Sequence, residues 1–226
     1  MKRLVLFDID GTLIETSEAH SMAFSDAFSQ VYGIDTTIEV IEHHGMTDRA
    51  IIMQVLRKSG VKESVIEEGL RACVDVLVQA FEKIADHVGV TPLRGVKDLL
   101  QVLNEKQFLM GIVTGNIEAI AWSKLKRVGL DSYLRFGAFG SDALERSDLI
   151  QLAIERASKE WSFSDGEEVF FFGDTPRDVK AGKETGVKTV ALMTGIYTRL
   201  DLERAGADVI FDDLTDRESI LRYLLG

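Results

Sequence analysis

Three short clusters of oxygen-bearing side chains carry the chemistry of this sequence: Asp8 with Asp10, Thr114 with Gly115 and Asn116, and Asp174 with Asp178. Asp8 and Asp10 follow an apolar run, Leu4 to Phe7, and are followed at once by Gly11. Setting two like charges against a hydrophobic strand is costly unless a cation or a reaction requires them. Gly11 permits a tight turn and a close approach of backbone to ligand. Thr114 and Asp174 close apolar runs in the same way, after residues 108–113 and 169–172. Asp8, Asp10 and Asp174 offer hard oxygens in a number that suits Mg2+, which takes few protein ligands and keeps its waters. Such an ion neutralises carboxylates and a phosphate dianion together. One carboxylate is then able to attack phosphorus as a covalent nucleophile. The second protonates the leaving oxygen and later deprotonates water. Thr114 brings a hydroxyl, and the turn amides bring N–H donors, to the phosphoryl oxygens.

The elements that position these groups follow from periodicity. Residues 2–7, 108–113, 133–139, 169–172, 187–193 and 208–211 read as strands. From residue 96 onward they alternate with amphipathic helices, which predicts an α/β fold with a doubly wound, mainly parallel sheet and right-handed crossovers. In such a sheet all three clusters fall along one edge, where open α/β sheets bind ligands. Between the first strand and the next, roughly 70 residues show only helical spacing. Helices are expected over 16–32, 37–43, 48–58 and 62–88, with Thr47 capping the third. Two domains are therefore expected: residues 1–14 plus 89–226 as an α/β core, and 15–88 as an all-helical insert. Thr91-Pro92-Leu93-Arg94-Gly95 is the expected return hinge.

Composition narrows the function classes. The chain has 226 residues, 46% of them hydrophobic, and a formal net charge of −11 from 26 basic and 37 acidic residues. An acidic chain without a basic run argues against nucleic acid and against anionic membrane surfaces. No apolar stretch approaches a membrane span, and the N-terminal run is too short for a signal peptide. Cys73 is the one cysteine, so no internal disulfide forms, which fits a reducing cytoplasm. Its spacing with Leu70, Val74 and Leu77 places it in a helical core. The sequence has no G-x-x-x-x-G-K-[ST], H-E-x-x-H or G-x-S-x-G motif.

The stretch Phe7-Asp8-Ile9-Asp10-Gly11-Thr12-Leu13 resembles the first motif of the haloacid dehalogenase superfamily, hhhhDxDGTL with h apolar. The resemblance extends along nearly the whole chain, towards the phosphoglycolate phosphatase and β-phosphoglucomutase-like members. It implies a helical cap at the position of the insert, Asp8 as nucleophile, and Asp10 as acid/base with its backbone carbonyl on the metal. Thr114 matches the second motif. Asp174 matches the metal ligand of the fourth, in the form Gly173-Asp174-Thr175-Pro176-Arg177-Asp178, with Asp178 supporting the metal through its water shell. One position departs. The family's third motif is a lysine bridging nucleophile and phosphate, whereas residues 140–147 contain no lysine. Arg146 is the best-placed cation there. Arginine keeps the charge and forks onto carboxylate or phosphate, so Arg146 is the expected substitute.

The resemblance thus implies a magnesium-dependent phosphatase acting on a small phosphorylated metabolite, such as phosphoglycolate or a sugar phosphate. A sugar phosphomutase of the same superfamily is the nearer rival, and a non-catalytic binder of a phosphorylated ligand the more distant one. Dehalogenases and phosphonatases are disfavoured because they lack the second aspartate. Within the insert, His20, Asp48 and Arg49 are candidate specificity residues, while adjacent His43 and His44 are expected to be solvated. The oligomeric state is not legible.

Overall fold

The computed structural model describes residues 3–15, 18–164 and 166–226. The expected starts of the first strand at Lys2 and of the first helix at Thr16 lie outside them. The described residues form a six-stranded sheet, every neighbouring pair parallel, with strand order β3-β2-β1-β4-β5-β6. The strands are β1 (Arg3–Phe7), β2 (Leu109–Thr114), β3 (Gly137–Phe139), β4 (Glu168–Gly173), β5 (Lys188–Leu192) and β6 (Val209–Phe211). β1 lies at the centre, with Phe7 beside Ile112 of β2 and Phe172 of β4. Chain order runs outward from β1 to β3, then returns to the far side of β1 at β4. The strand order therefore switches at the carboxyl ends of β1 and β4, which is where doubly wound sheets bind ligands.

Continuous apolar runs suit β1, β2 and β4 because both faces of the sheet are covered. Val5 and Phe7 pack with Leu99 and Leu103 of α4 (Val96–Glu105), Leu125 of α5 (Glu118–Val128) and Leu224 of α9 (Arg217–Leu225). Leu4 and Leu6 face the other way, against Leu149 and Ala153 of α6 (Arg146–Trp161) and Ala181 of α7 (Pro176–Thr185). This alternation makes the sheet doubly wound, as expected.

Between β1 and β2 the described residues contain helices, with no strand. α1 (Glu18–Tyr32), α2 (Asp48–Lys58) and α3 (Glu63–Val88) share a separate apolar cluster built on Phe24, Phe28, Ile52, Val55, Leu77 and Phe81. Cys73 is buried in it, and burial pushes its thiol up to about 12. This is the inserted helical cap. Ile117 and Ile120 of the sheet-bearing part join the same cluster, so the two parts share apolar contact.

Some boundaries differ from expectation. The helix expected over 37–43 is a single 3-10 turn, Ile38–Val40, because Ile41 is already extended. β3 begins at Gly137, four residues later than expected, since residues 131–133 form a turn closed by Tyr133 N–H to Leu130 O. A short helix not foreseen, α8 (Arg199–Ala205), follows β5. It buries only Leu202 and is set by a capping box between Thr198 and Asp201, a local signal rather than a periodic one.

Candidate active site

The carboxyl ends of β1, β2 and β4 deliver the expected clusters to one place. Asp8 leaves β1 with its N–H bonded to Phe172 O at 2.9 Å. The chain then folds back at once: the N–H groups of Leu13 and Ile14 both reach Ile9 O, at 2.8 and 3.0 Å. Gly11 carries φ +75°, and a Cβ there would strike the Asp174 carboxylate. The glycine is thus required twice, for the turn and for the approach of the β4 end.

Asp8, Asp174 and Asp178 are all buried, and one oxygen from each lies within 4.8 Å of the others. Arg146 opens α6 as expected and enters this cluster. Its Nη1 lies 2.8 Å from Asp178 Oδ1 and 3.2 Å from Asp8 Oδ1. The guanidinium is 7% exposed, so these charges meet away from bulk water. Asp178 also builds local structure, because its Oδ2 accepts from Thr175 N and Oγ1 and completes the capping box of α7. The helix-capping role and the site role fall on different oxygens of one carboxylate.

Three carboxylates against one guanidinium leave negative charge uncompensated. Burial pushes Asp8 up to about 6; Arg146 opposes this, while Asp178 and Asp10 add to it. Asp174 is likewise held well above the usual carboxylate range, by burial and then by Asp178 and Asp8. Excess charge on hard oxygens is the environment a divalent cation relieves, so the residues present fit Mg2+. Asp8, Asp174 and Asp178 would hold it.

The Asp10 side chain stands apart from that cluster, which corrects its expected place among the metal-binding carboxylates. Lys124 Nζ lies 2.7 Å from both of its oxygens, and Asn116 Nδ2 donates to Oδ2 at 2.8 Å. Only the backbone carbonyl of Asp10 remains for the metal role the resemblance implies. Burial works to raise the Asp10 carboxyl, but Lys124, His20 and the hydrogen bonds outweigh it and hold the group below its usual value.

Lys124 is absent from the residues that the sequence singles out. It sits on α5, one turn after Ile120 and one before Val128, on the buried stripe of that helix. A lysine inside an apolar stripe, one helix beyond a strand-end cluster, was the available signal.

The remaining candidates divide. Gly115 and Asn116 border the cavity between the strand ends and the cap, which measures about 90 Å³. Thr114 is fully buried behind Asn116, its hydroxyl accepting from Asn116 N and Nδ2 at 3.3 and 2.9 Å. His20 borders the cavity from α1. Arg49 does not reach it; the guanidinium turns to the β3–α6 loop and donates to Ser141 O at 3.4 Å. His43 and His44 are half-buried and border the cavity, contrary to the solvated reading, with their rings 4.3 Å apart. Adjacency does not separate them because the backbone there is a loop, not a helix.

The cap is seated on the strand ends. Asp48 N–H donates to Gly115 O at 2.8 Å, and Ile117 N–H donates to Asp48 Oδ2 at 2.7 Å. A Cβ at Gly115 would strike Met46 O, so glycine permits this contact. Asp48 is therefore a residue of the cap–core joint.

An α/β core with a buried carboxylate cluster at its strand ends, under a helical cap, is the class that this geometry defines. Comparison with known proteins agrees: residues 5–192 match the family model for haloacid dehalogenase-like hydrolases. The chain is 29% identical over 217 residues to pyrophosphatase PpaX of Anoxybacillus flavithermus, covering 96% of this chain and 95% of that one. It is 26% identical over 218 residues to phosphoglycolate phosphatase 1 of Pseudomonas aeruginosa, covering 96% and 78%. A hydrolase from Pseudomonas syringae shares the fold at a TM-score of 0.75 and 22% identity, over 99% of both chains. The protein belongs to the haloacid dehalogenase-like hydrolase family.

Proposed function

We propose that this protein is a magnesium-dependent phosphatase of small phosphorylated metabolites, working through a phospho-aspartyl intermediate on Asp8. The observation that carries the reading is the buried group Asp8, Asp174 and Asp178, within 4.8 Å, with one arginine paired to Asp8 and Asp178 and with Asp10 held separately on the same cavity. That arrangement separates a nucleophile in a cation-binding cluster from an acid/base group outside it. We take residues 1–14 and 89–226 as the catalytic core and 15–88 as the cap.

Mg2+, held by Asp8, Asp174 and Asp178 with the Asp10 carbonyl, would supply charge neutralisation for nucleophile and phosphate. The chain's own groups do the rest. A carboxylate oxygen of Asp8 forms a bond to phosphorus as the ester P–O bond breaks. Asp10, in its carboxylic acid form, passes its proton to the departing oxygen and yields the alcohol. The substrate dianion beside Asp10 favours that protonated form, against the pull of Lys124. Asp10, now a carboxylate, takes a proton from water as the water oxygen attacks phosphorus. The acyl–phosphate bond breaks, restoring Asp8 and releasing inorganic phosphate. Arg146 offsets negative charge at Asp8 and fills the role of the missing third-motif lysine. The backbone N–H of Gly115, with the Thr114 hydroxyl and Asn116 behind it, shapes the phosphoryl side of the site.

A cavity of about 90 Å³ fits a small leaving group, and the cap lines it with Phe24, Ile38 and Ile51 and with His20, His43 and His44. Relatives named as a pyrophosphatase and as phosphoglycolate phosphatases support substrates of that size. The acidic charge and the lone buried cysteine support a cytoplasmic enzyme without nucleic-acid or membrane partners. Among the described residues, no helix is long and apolar enough to cross a membrane.

The test is phosphate release from a panel of phosphorylated metabolites, with Mg2+ and with EDTA, beside Asp8→Asn. Metal-dependent release that the variant loses is the expected result. Full activity in Asp8→Asn removes the nucleophile assignment. A phosphoryl group moved within a sugar phosphate, with no free phosphate, identifies a mutase instead.

A further inference from the structure

We propose that Lys124 is a positioning residue for Asp10, through which the seating of the helical cap reaches the acid/base group. The proposal rests on the phosphatase reading above and goes beyond its residues.

The Lys124 side chain is 0% exposed. A buried ammonium is expensive unless each of its N–H groups finds an acceptor. Here all three do. One direction is taken by the two Asp10 oxygens at 2.7 Å, one by Asn116 Oδ1 at 2.6 Å and one by His20 Nδ1 at 3.1 Å. The face of Phe81, 5.7 Å from Nζ to ring centroid, closes a further side. Asn116 also donates to Asp10 Oδ2 through Nδ2, so both ends of its amide serve the same carboxylate. The Asp10 carboxylate is fixed in direction by a lysine gripping both oxygens and an amide gripping one.

The network crosses between the two parts of the molecule. Lys124, Asn116 and Asp10 belong to the α/β core, and His20 belongs to α1 of the cap. With Lys124 donating to Nδ1, the His20 proton sits on Nε2, which lies 3.3 Å from Asp48 Oδ2. Asp48 opens α2 of the cap and is itself bound to the core at Ile117 N–H and Gly115 O. Phe24, 5.0 Å away and stacked, and Phe81, edge-on at 5.8 Å, fix the His20 ring. Lifting the cap therefore removes one of the three acceptors of Lys124 and the aromatic wall beside it. The saturated clamp on Asp10 exists only while the cap is seated. Closure over a substrate and alignment of the acid/base group then become one event.

The test exploits leaving groups. p-Nitrophenolate departs from phosphorus without a proton, whereas an alkoxide needs one. kcat/KM covers the steps through departure of the leaving group, so it isolates the acid half of the reaction. The substrates are p-nitrophenyl phosphate and whichever alkyl phosphate of the metabolite panel the wild type turns over fastest. Lys124→Met, similar in volume but without donors, is expected to lose about 100-fold in kcat/KM on the alkyl phosphate and under about 3-fold on p-nitrophenyl phosphate. Asp10→Asn shows the same selectivity, and the double variant loses no more than Asp10→Asn alone, because the two act as one unit. His20→Gln, which leaves Lys124 in place, loses in the same direction by about 10-fold. Equal loss on both substrates, or no loss, in a folded Lys124→Met protein overturns the proposal. If Lys124→Met does not fold, an unselective His20→Gln overturns it instead. A wild type silent on both substrates overturns the phosphatase reading and takes the proposal with it.

Discussion

Two buried cations, Arg146 and Lys124, live in opposite electrostatic balance. Arg146 faces Asp8, Asp178 and Asp174, three carboxylates to one positive charge, and two of those carboxylates are pushed up as a result of burial and mutual repulsion. Lys124 faces Asp10 as its one carboxylate, with Asn116 Oδ1 and His20 Nδ1 completing its shell, and Asp10 is held down. The Arg146 side is short of positive charge and suits a metal and a phosphate group. The Lys124 side is complete without any ligand and serves orientation. A buried ion pair is weak support for stability but costly to break from one side, so removing either cation distinguishes the two roles.

The largest effect falls on the deficient side. Asp8→Asn removes the atom that attacks phosphorus, and phosphate release is expected to fall by about 10³-fold or more, at unchanged fold by circular dichroism. Arg146→Met follows, with kcat down by about 10² to 10³-fold, since it strips the one positive charge the chain supplies there. Arg146→Lys is expected to recover part of that loss, because lysine returns the charge without the fork. An Arg146→Met enzyme with full activity would show that the metal alone suffices, and the comparison would collapse. Lys124→Met should differ in kind: its loss depends on the leaving group, whereas that of Arg146→Met does not.

The same contrast explains what is legible in the sequence. Asp8, Asp10, Thr114 and Asp174 follow apolar runs at strand ends, so their placement at one edge follows from the parallel sheet alone, and Asp178 comes with Asp174 as the first turn of the next helix. Arg146 emerges as the cation nearest to the place of a missing lysine, and it reaches Asp8. Lys124 stays hidden because its partners are 114 and 104 residues away in sequence, and a single lysine on a helix reads as a solvated one. Only its phase, aligned with Ile120 and Val128, marks it. His43 and His44 mislead for a related reason. Periodicity arguments assume a helix, and the structure has a loop there, whose direction is set by contact with the core. Short elements such as α8 and the 3-10 turn at Ile38–Val40 depend on caps and tight turns, which leave little trace in hydrophobic spacing.

Metal and pH sharpen the comparison at smaller scale. Without metal, Asp8 binds its proton with a value of about 6, against 3.8 ordinarily. The folded protein then holds more protons than the unfolded chain between those values. Stability contributed by this group falls as pH climbs through that window, and the penalty is fully present above it. Asp174, raised in the same direction, adds to the effect. A divalent cation bound there would take the place of those protons. The rise in Tm on adding Mg2+ is therefore expected to be larger at pH 7.5 than at pH 5, by about 3–6 °C in thermal melts. Equal gains at both pH values would mean that the cluster is not short of positive charge. Lys124→Met should leave the difference in place, since Asp10 lies outside that cluster.

The smallest effect is expected three residues along the same helix. Arg127, like Lys124, reaches from α5 to the cap, pairing with Glu82 and Asp86 of α3 at 2.8 Å each. By distance alone it looks the better tether, with two carboxylates and a further bond to Glu82 O at 3.4 Å. Exposure reverses that judgement. Its partners are 45% and 66% exposed, so water and salt screen the pairs and side-chain entropy offsets much of the gain. Arg127→Ala is expected to shift Tm by less than about 2 °C and kcat/KM by less than about 2-fold, with the shift vanishing in high salt. A selective loss on alkyl phosphates in Arg127→Ala, matching that of Lys124→Met, would show that any link between α5 and the cap orients Asp10. Its absence confines the coupling to the chain of Asp10, Lys124, His20 and Asp48, whose central ammonium is 0% exposed and so is far less screened than Arg127.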